Sequence, residues 1–209
     1  MAVVAVTNPK GGVGKSTLST NIAGYFARQS DAVVLGDVDR QQSSRLWLNQ
    51  RPAAARPIGA WKIAPDDMDR PPKQVAHAVL DTPAGLHGKL LKEVLKLADK
   101  IIVPLQPSVF DIFATQEFLS ELAAHRHGGR AQIGIVGMRV DPRTIAADKL
   151  HAFVEGLGFP VLGYLRSTQN YVHLAAHGLS LFDVVPGRVE RDLEQWQGIC
   201  NWLDDAAAH

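Results

Sequence analysis

The chain has 209 residues, 46% of them hydrophobic, enough to bury one sizeable core, at a length where one α/β domain is the default expectation. Lys and Arg number 22 against 21 Asp and Glu, so the formal charge of +1 excludes a global attraction to nucleic acid or anionic lipid, and any polyanion site has to be a local patch. A single cysteine, Cys200, excludes an internal disulfide framework and a one-chain cysteine metal cage, fits a reducing cytosol, and reads as a small core residue.

Met1 to Thr7 is apolar but lacks a basic leader and a cleavage-type site, and it runs straight into a Gly-rich turn; it predicts a first strand rather than a signal peptide. No apolar run approaches the ~18 residues that would span a bilayer, so integral membrane association is not expected. Further along, β-branched runs at 32–37, 77–81, 101–105, 133–136 and 161–164 join 3–7 as expected buried strands. Helical spacing fills the intervals at 16–29, 86–98, 110–124, 146–155, 169–176 and 190–206. Such alternation predicts an α/β fold with a mainly parallel twisted sheet and helices on both faces, one domain over 1–209. The stretch from Pro52 to Pro72 holds five prolines. It reads either as a linker or, preferably, as a surface excursion around a short strand at 61–64, because neither side alone makes a complete sheet.

The most informative segment is Lys10-Gly11-Gly12-Val13-Gly14-Lys15-Ser16-Thr17, between the first strand and the first helix. Glycines let the backbone turn so that successive N–H groups converge on phosphate oxygens, while the helix presents its positive N-terminal end to the same anion. In such a loop Lys15 reaches the β- and γ-phosphates, Ser16 ligates Mg²⁺ and Thr17 bonds a phosphate oxygen. The alternative is a Gly-rich turn with solvated lysines.

In an open parallel sheet the ligand lies at the carboxyl ends of the strands, so acids at those ends are candidates for the metal and the attacking water. Two strands supply them: Gly36-Asp37-Val38-Asp39-Arg40-Gln41, and Leu80-Asp81-Thr82-Pro83-Ala84-Gly85. Exposed turns or helix caps are the competing reading of these acids.

The loop carries Pro9 where the general phosphate-loop pattern has its first glycine, and an additional early lysine, Lys10. It thereby resembles the deviant Walker A motif of the ParA/MinD ATPases. That resemblance implies ATP and Mg²⁺ as ligands and a trans-acting Lys10 that reaches the ATP of a partner subunit in an ATP-dependent homodimer. It implies Asp39 as the catalytic acid of a D-x-D-P-Q switch segment, with Arg40 in place of proline. Asp37 would support the metal shell or Lys10, and Asp81 with Gly85 would form the Walker B and second switch segment. By the same resemblance Met138 and Arg139, and later Arg166, stand where the base is enclosed, and the 175–181 segment continues the match. Small members of that family bind DNA nonspecifically as dimers, are cytoplasmic and nucleoid-associated, and release DNA when a ParB-like or other adaptor stimulates slow hydrolysis. Arg139, Arg143, Arg166, Arg188 and Arg191 are the candidate DNA contacts, against the plainer reading of each as a solvated surface arginine.

Competing functions are a MinD-like membrane-surface protein and a P-loop small-molecule kinase. The first needs a basic amphipathic tail; here Trp196, Ile199, Trp202 and Leu203 share a helical face, but the tail ends in Asp204 and Asp205, and core packing is the expected use of that face. Of eight histidines, only His173 and His177 have a ligand-like spacing, and a helix surface explains them.

Overall fold

A computed structural model describes residues 1–66, 68–126 and 131–205. Seven strands are labelled β1 (Ala2–Val6), β2 (Val33–Asp37), β3 (Gly59–Trp61), β4 (His77–Asp81), β5 (Lys100–Leu105), β6 (Gln132–Met138) and β7 (Val161–Leu165). They form one sheet in the order β3-β2-β4-β1-β5-β6-β7, every neighbouring pair parallel. The helices are α1 (Lys15–Ala27), α2 (Ser43–Asn49), α3 (Gly88–Leu97), α4 (Val109–Arg126), α5 (Ile145–Glu155), α6 (Gln169–Ala175) and α7 (Glu190–Asp204), with 3₁₀ turns at Leu181–Asp183 and Pro186–Arg188. Ala206, the last residue of the expected terminal helix, lies outside the described residues.

The period-2 geometry of a strand divides the core in two. Val3 and Ala5 of β1 pack with Leu91 and Val94 of α3, Leu119 and Leu122 of α4, and Leu150 and Val154 of α5. Val4 and Val6 pack on the opposite face with Leu18, Ile22 and Phe26 of α1, Trp47 of α2, and Trp196, Ile199 and Leu203 of α7. The apolar face of α7 is thus core through Trp196, Ile199 and Leu203, as its pattern predicts, with Trp202 partly buried against it. β1 lies at the point where the order reverses, flanked by β4 and β5, so the crevice beyond its carboxyl end is the natural ligand position.

Two elements differ from expectation. The short edge strand is Gly59–Trp61, not 61–64: Gly59, Ala60 and Trp61 pair with Val34, Leu35 and Gly36. Trp61 and Ile63 both crowd Gly36, where a Cβ would stand 2.9 Å from each; Trp61 does so as the last residue of the ladder, whereas Ile63 packs from beyond it. β2, β3 and β4 join one sheet across Pro52–Pro72, which makes that stretch an excursion along the sheet edge. The unexpected element is α2. It is seven residues long, and its Gln42 cap position makes no side-chain capping bond; instead the Asp37 carboxylate accepts from Ser44 N at 2.9 Å and Arg45 N at 3.2 Å.

Candidate functional site

Pro9 to Thr17 connects β1 to α1 over the carboxyl edge of the sheet. Just before it, the buried Asn8 is tied by its amide to Pro104 O at 2.7 Å and Thr115 Oγ1 at 3.2 Å, while its Oδ1 accepts from Lys10 N at 2.8 Å. Gly12 and Gly14 have φ of 74° and 100°, conformations that L side chains rarely adopt, and Gly14 is pressed by Met138, whose Cε would lie 2.6 Å from an added Cβ. Gly85 N donates to Pro9 O at 2.8 Å and Gln106 Nε2 donates to Gly12 O at 3.0 Å, so the ends of β4 and β5 both brace the loop.

Lys15 opens α1, whose first turn carries no acidic side chain. Its stem is buried, and its Nζ donates to Lys10 O at 2.9 Å across the loop. Burial lowers its pKa, with the charges of Asp81 and Asp39 pulling it back up. Those two carboxylates therefore act on the charge of the loop lysine, although they arrive from different strands. Asp39 is half-buried just past β2, and its Oδ1 accepts from Gln41 N at 3.0 Å; Arg40 beside it is exposed.

Asp37 has both oxygens engaged: Oδ1 accepts from Asp39 N at 2.9 Å, while Oδ2 holds the start of α2. Burial raises its pKa, opposed by those backbone N–H groups. The geometry makes Asp37 the support of the 37–45 segment. Asp81 pairs in register with Asp37 at the end of β4 and is 1% exposed. Burial pushes its carboxyl up to about 6, opposed by the hydroxyls of Ser16 and Ser44 and by Lys15. Ser44 Oγ donates to Asp81 Oδ2 at 2.5 Å, whereas Oδ1 is buried with no hydrogen-bond partner among the described residues.

An unpartnered buried carboxylate oxygen beside a serine hydroxyl is a hard, all-oxygen donor set, which fits Mg²⁺. Among the described residues no group of three or more His, Cys, Asp or Glu could hold a metal unaided. This too suits Mg²⁺, which in phosphate sites takes one or two protein ligands and completes its octahedron from phosphate and water. His173 is exposed on α6 and His177 is exposed in the turn that follows it, so the two do not share the helix surface the sequence suggested; His177 Nδ1 is 2.8 Å from His173 O.

Two cavities open at the ends of β6 and β7. One, about 310 Å³, is lined by Gly14, Thr17, Met138, Arg139, Arg166 and Tyr171 among others, and so adjoins the phosphate loop at the ends of β6 and β7. The other, about 390 Å³, is lined by Arg139, Arg143, Arg166 and Arg191 with Asp141 and Ser167. Arg139 and Arg166 border both. Arg166 Nε bonds the fully buried Asp192 at 2.6 Å, and Arg143 pairs with Asp141 at 2.8 Å. Arg188, exposed on its 3₁₀ turn, does not line that cleft.

Three residues of this geometry carry no signal in the motifs: Asn8, Gln106 and Ser44. Each acts through a contact between segments far apart in sequence, and only Asn8 abuts the loop in the chain itself.

Residues 4–182 match the family model described as the CobQ/CobB/MinD/ParA nucleotide binding domain. Maintenance of carboxysome distribution protein A from Gloeobacter kilaueensis is 30% identical over 188 residues, covering 86% of this chain and 83% of that protein. The chromosome-partitioning ATPase Soj of Thermus thermophilus is 26% identical over 184 residues, 71% of this chain and 74% of that protein. Among solved structures, the septum site-determining protein MinD of Pyrococcus horikoshii, complexed with Mg-ADP, superposes with a TM-score of 0.75 over 98% of this chain and 96% of its own, at 13% identity, a likeness of fold.

Proposed function

The chain belongs to the CobQ/CobB/MinD/ParA nucleotide-binding domain family, and from that premise we propose that it is an ATP-hydrolysing positioning protein. In this reading it binds ATP with Mg²⁺, dimerises on ATP, holds DNA without sequence preference in the cytoplasm, and lets go when a ParB-like or other adaptor stimulates hydrolysis. The observation that carries the reading is a glycine loop that opens a helix at the strand ends bearing Asp39 and Asp81, whose charges act on Lys15. The ATPase activity named for Soj and the Mg-ADP bound to MinD support the choice of ligand.

The backbone N–H groups from Gly11 to Thr17 cradle the phosphates, and Lys15 leaves its contact with Lys10 O to reach the β- and γ-oxygens. Ser16 and Asp81 would hold Mg²⁺, with Asp37 keeping the neighbouring segment in place, and the ion would neutralise charge on the phosphates. Asp39 orients a water for attack on the γ-phosphorus. A P–O bond forms to that water, the bond to the ADP oxygen breaks, and ADP and phosphate leave. Lys10 extends across the dimer interface to the partner's phosphates, where a cation stabilises the same charge. Met138, Arg139 and Arg166 enclose the base in the cavity beside Gly14. Arg139, Arg143, Arg166 and Arg191 in one cleft supply phosphate contacts for DNA, with Arg188 at its periphery.

The test is sedimentation of wild type and Lys10→Ala with ADP, ATP and a nonhydrolysable analogue, with and without random-sequence duplex at two salt concentrations. ATP-dependent dimers that bind DNA in a salt-sensitive way, together with hydrolysis lost in Lys10→Ala, are the expected result. A monomer in every nucleotide state, indifferent to Lys10, would overturn the dimer mechanism.

A further inference from the structure

Ser44 is fully buried at the start of α2, far from the phosphate loop in sequence, yet it touches both strand-end acids. Its hydroxyl donates to Asp81 Oδ2 at 2.5 Å, and its main-chain N–H donates to Asp37 Oδ2 at 2.9 Å. Asp81 is consequently asymmetric: Oδ2 accepts from the Ser44 hydroxyl, and Oδ1 is buried without a hydrogen-bond partner among the described residues.

The clamp is itself held firmly. At the far end of α2, Arg51 donates to Gly178 O at 3.2 Å and forms a two-pronged pair with Asp183, at 2.9 and 2.6 Å. Midway, Trp47 Nε1 donates to Leu179 O at 3.2 Å. A carboxylate whose plane is fixed by a hydroxyl on a helix anchored at both ends presents its remaining oxygen in one direction. Groups that orient metal-binding carboxylates in this way commonly change metal affinity ~10 to 100-fold when removed.

We propose that Ser44 is a positioning residue for the metal site: it fixes the Asp81 carboxylate so that Oδ1 is left to accept from the hydration shell of the nucleotide's divalent cation. The inference rests on the reading of the chain as a Mg²⁺-nucleotide-binding protein. It concerns Ser44 alone, which contacts neither nucleotide nor water in the reaction and acts through Asp81.

The experiment is a Mg²⁺ titration of the binding of a fluorescent nonhydrolysable ATP analogue to wild type, Ser44→Ala and Ser44→Thr, repeated in EDTA. Ser44→Ala keeps the backbone bond to Asp37 and removes only the hydroxyl. We expect its half-saturating Mg²⁺ concentration to rise ~10-fold or more, its affinity for the analogue in EDTA to stay within about twofold, and Ser44→Thr to recover most of the loss. Should Ser44→Ala fold poorly, Ser44→Cys, similar in size and a weak donor, is read in the same way. A half-saturating concentration within about twofold of wild type overturns the inference. So does an equal loss with Mg²⁺ and in EDTA, which marks a merely structural serine. Wild type that binds the analogue without regard to Mg²⁺ overturns the functional reading itself, whereas Mg²⁺-dependent wild type with an insensitive Ser44→Ala overturns the inference alone.

Discussion

Asp81→Asn is expected to stabilise the nucleotide-free protein while abolishing Mg²⁺-dependent hydrolysis. Asp81 is 1% exposed, and burial pushes its carboxyl up to about 6. Lifting a carboxyl from its ordinary value near 4 to 6 corresponds to ~3 kcal/mol at ~1.4 kcal/mol per tenfold in proton affinity. The folded state holds this proton more tightly than the unfolded chain. Asp81 therefore contributes its full share of stability below pH ~4, loses it as the pH rises toward about 6, and leaves the ionised form a burden above that. Asparagine is neutral throughout, so its advantage should be near zero at pH 4 and approach its maximum at pH 8. Lys15 loses a counter-charge in the variant, which trims the gain; ~2 kcal/mol remains a reasonable expectation, or ~4 to 8 °C in Tm for a chain of this size. Thermal unfolding of both proteins in EDTA at pH 4, 6 and 8 measures it. A variant less stable than wild type by the same margin at pH 4 and pH 8 would refute the reasoning, because its loss would then be one of shape and not of charge.

Arg51→Ala should cost ~3 kcal/mol in urea unfolding, because it strands Asp183 in a pair whose side chains are 5% and 6% exposed. Burial alone would raise the Asp183 carboxyl, but Arg51 and Ser180 hold it below its ordinary value, so the stability it contributes is present above pH ~4 and is lost as the pH falls through the lowered value; Arg51→Ala should weaken that acid dependence. Gly178→Ala should destabilise by ~2 kcal/mol or more, since φ is +65° and an added Cβ would stand 2.5 Å from the Gln50 and Arg51 backbone; a urea midpoint unchanged from wild type would contradict it. Arg143→Ala and Arg191→Ala should each reduce the slope of log K against log salt for random duplex by about one, with Arg188→Ala having less effect because Arg188 lies outside the arginine cleft.

The parts legible in the sequence are those whose chemistry is local. A glycine loop between a strand and a helix forms where its residues lie, so Lys10 to Thr17 stand in the sequence much as they do in space. Asp37 and Asp81 were readable because strands of a parallel sheet end at one edge, and the register that sets them side by side follows from β2 and β4 being neighbours. α2 was not legible: its start is fixed by a carboxylate seven residues upstream and its end by Asp183, and neither bond leaves a trace in hydrophobic periodicity. The arginine cleft was half legible. Its members are visible one by one in the sequence, but their convergence depends on the ends of β6 and β7 meeting the start of α7, which only the sheet order determines. Cys200 is half-buried rather than enclosed, its thiol pushed up to about 12 by burial, because α7 turns its fully buried face through Trp196, Ile199 and Leu203 instead.

The site also explains why its charges are tolerated. One cause, exclusion of water, acts on both signs: it pulls the Lys15 ammonium down and pushes the Asp37 and Asp81 carboxyls up, so every buried group is moved toward neutrality. Asp37 is compensated by three backbone N–H groups, and Lys15 by a loop carbonyl. Asp81 is compensated by hydroxyls and retains a bare oxygen. The ligand that relieves this arrangement has to bring negative charge to Lys15 and positive charge to Asp81 together, which a nucleotide phosphate chain carrying a divalent cation does. Either component alone would relieve one group and leave the other with only the partial compensation it has in the nucleotide-free protein. A preference for the metal–nucleotide pair over its parts is thus built into the burial of the two side chains before any contact to the base is made.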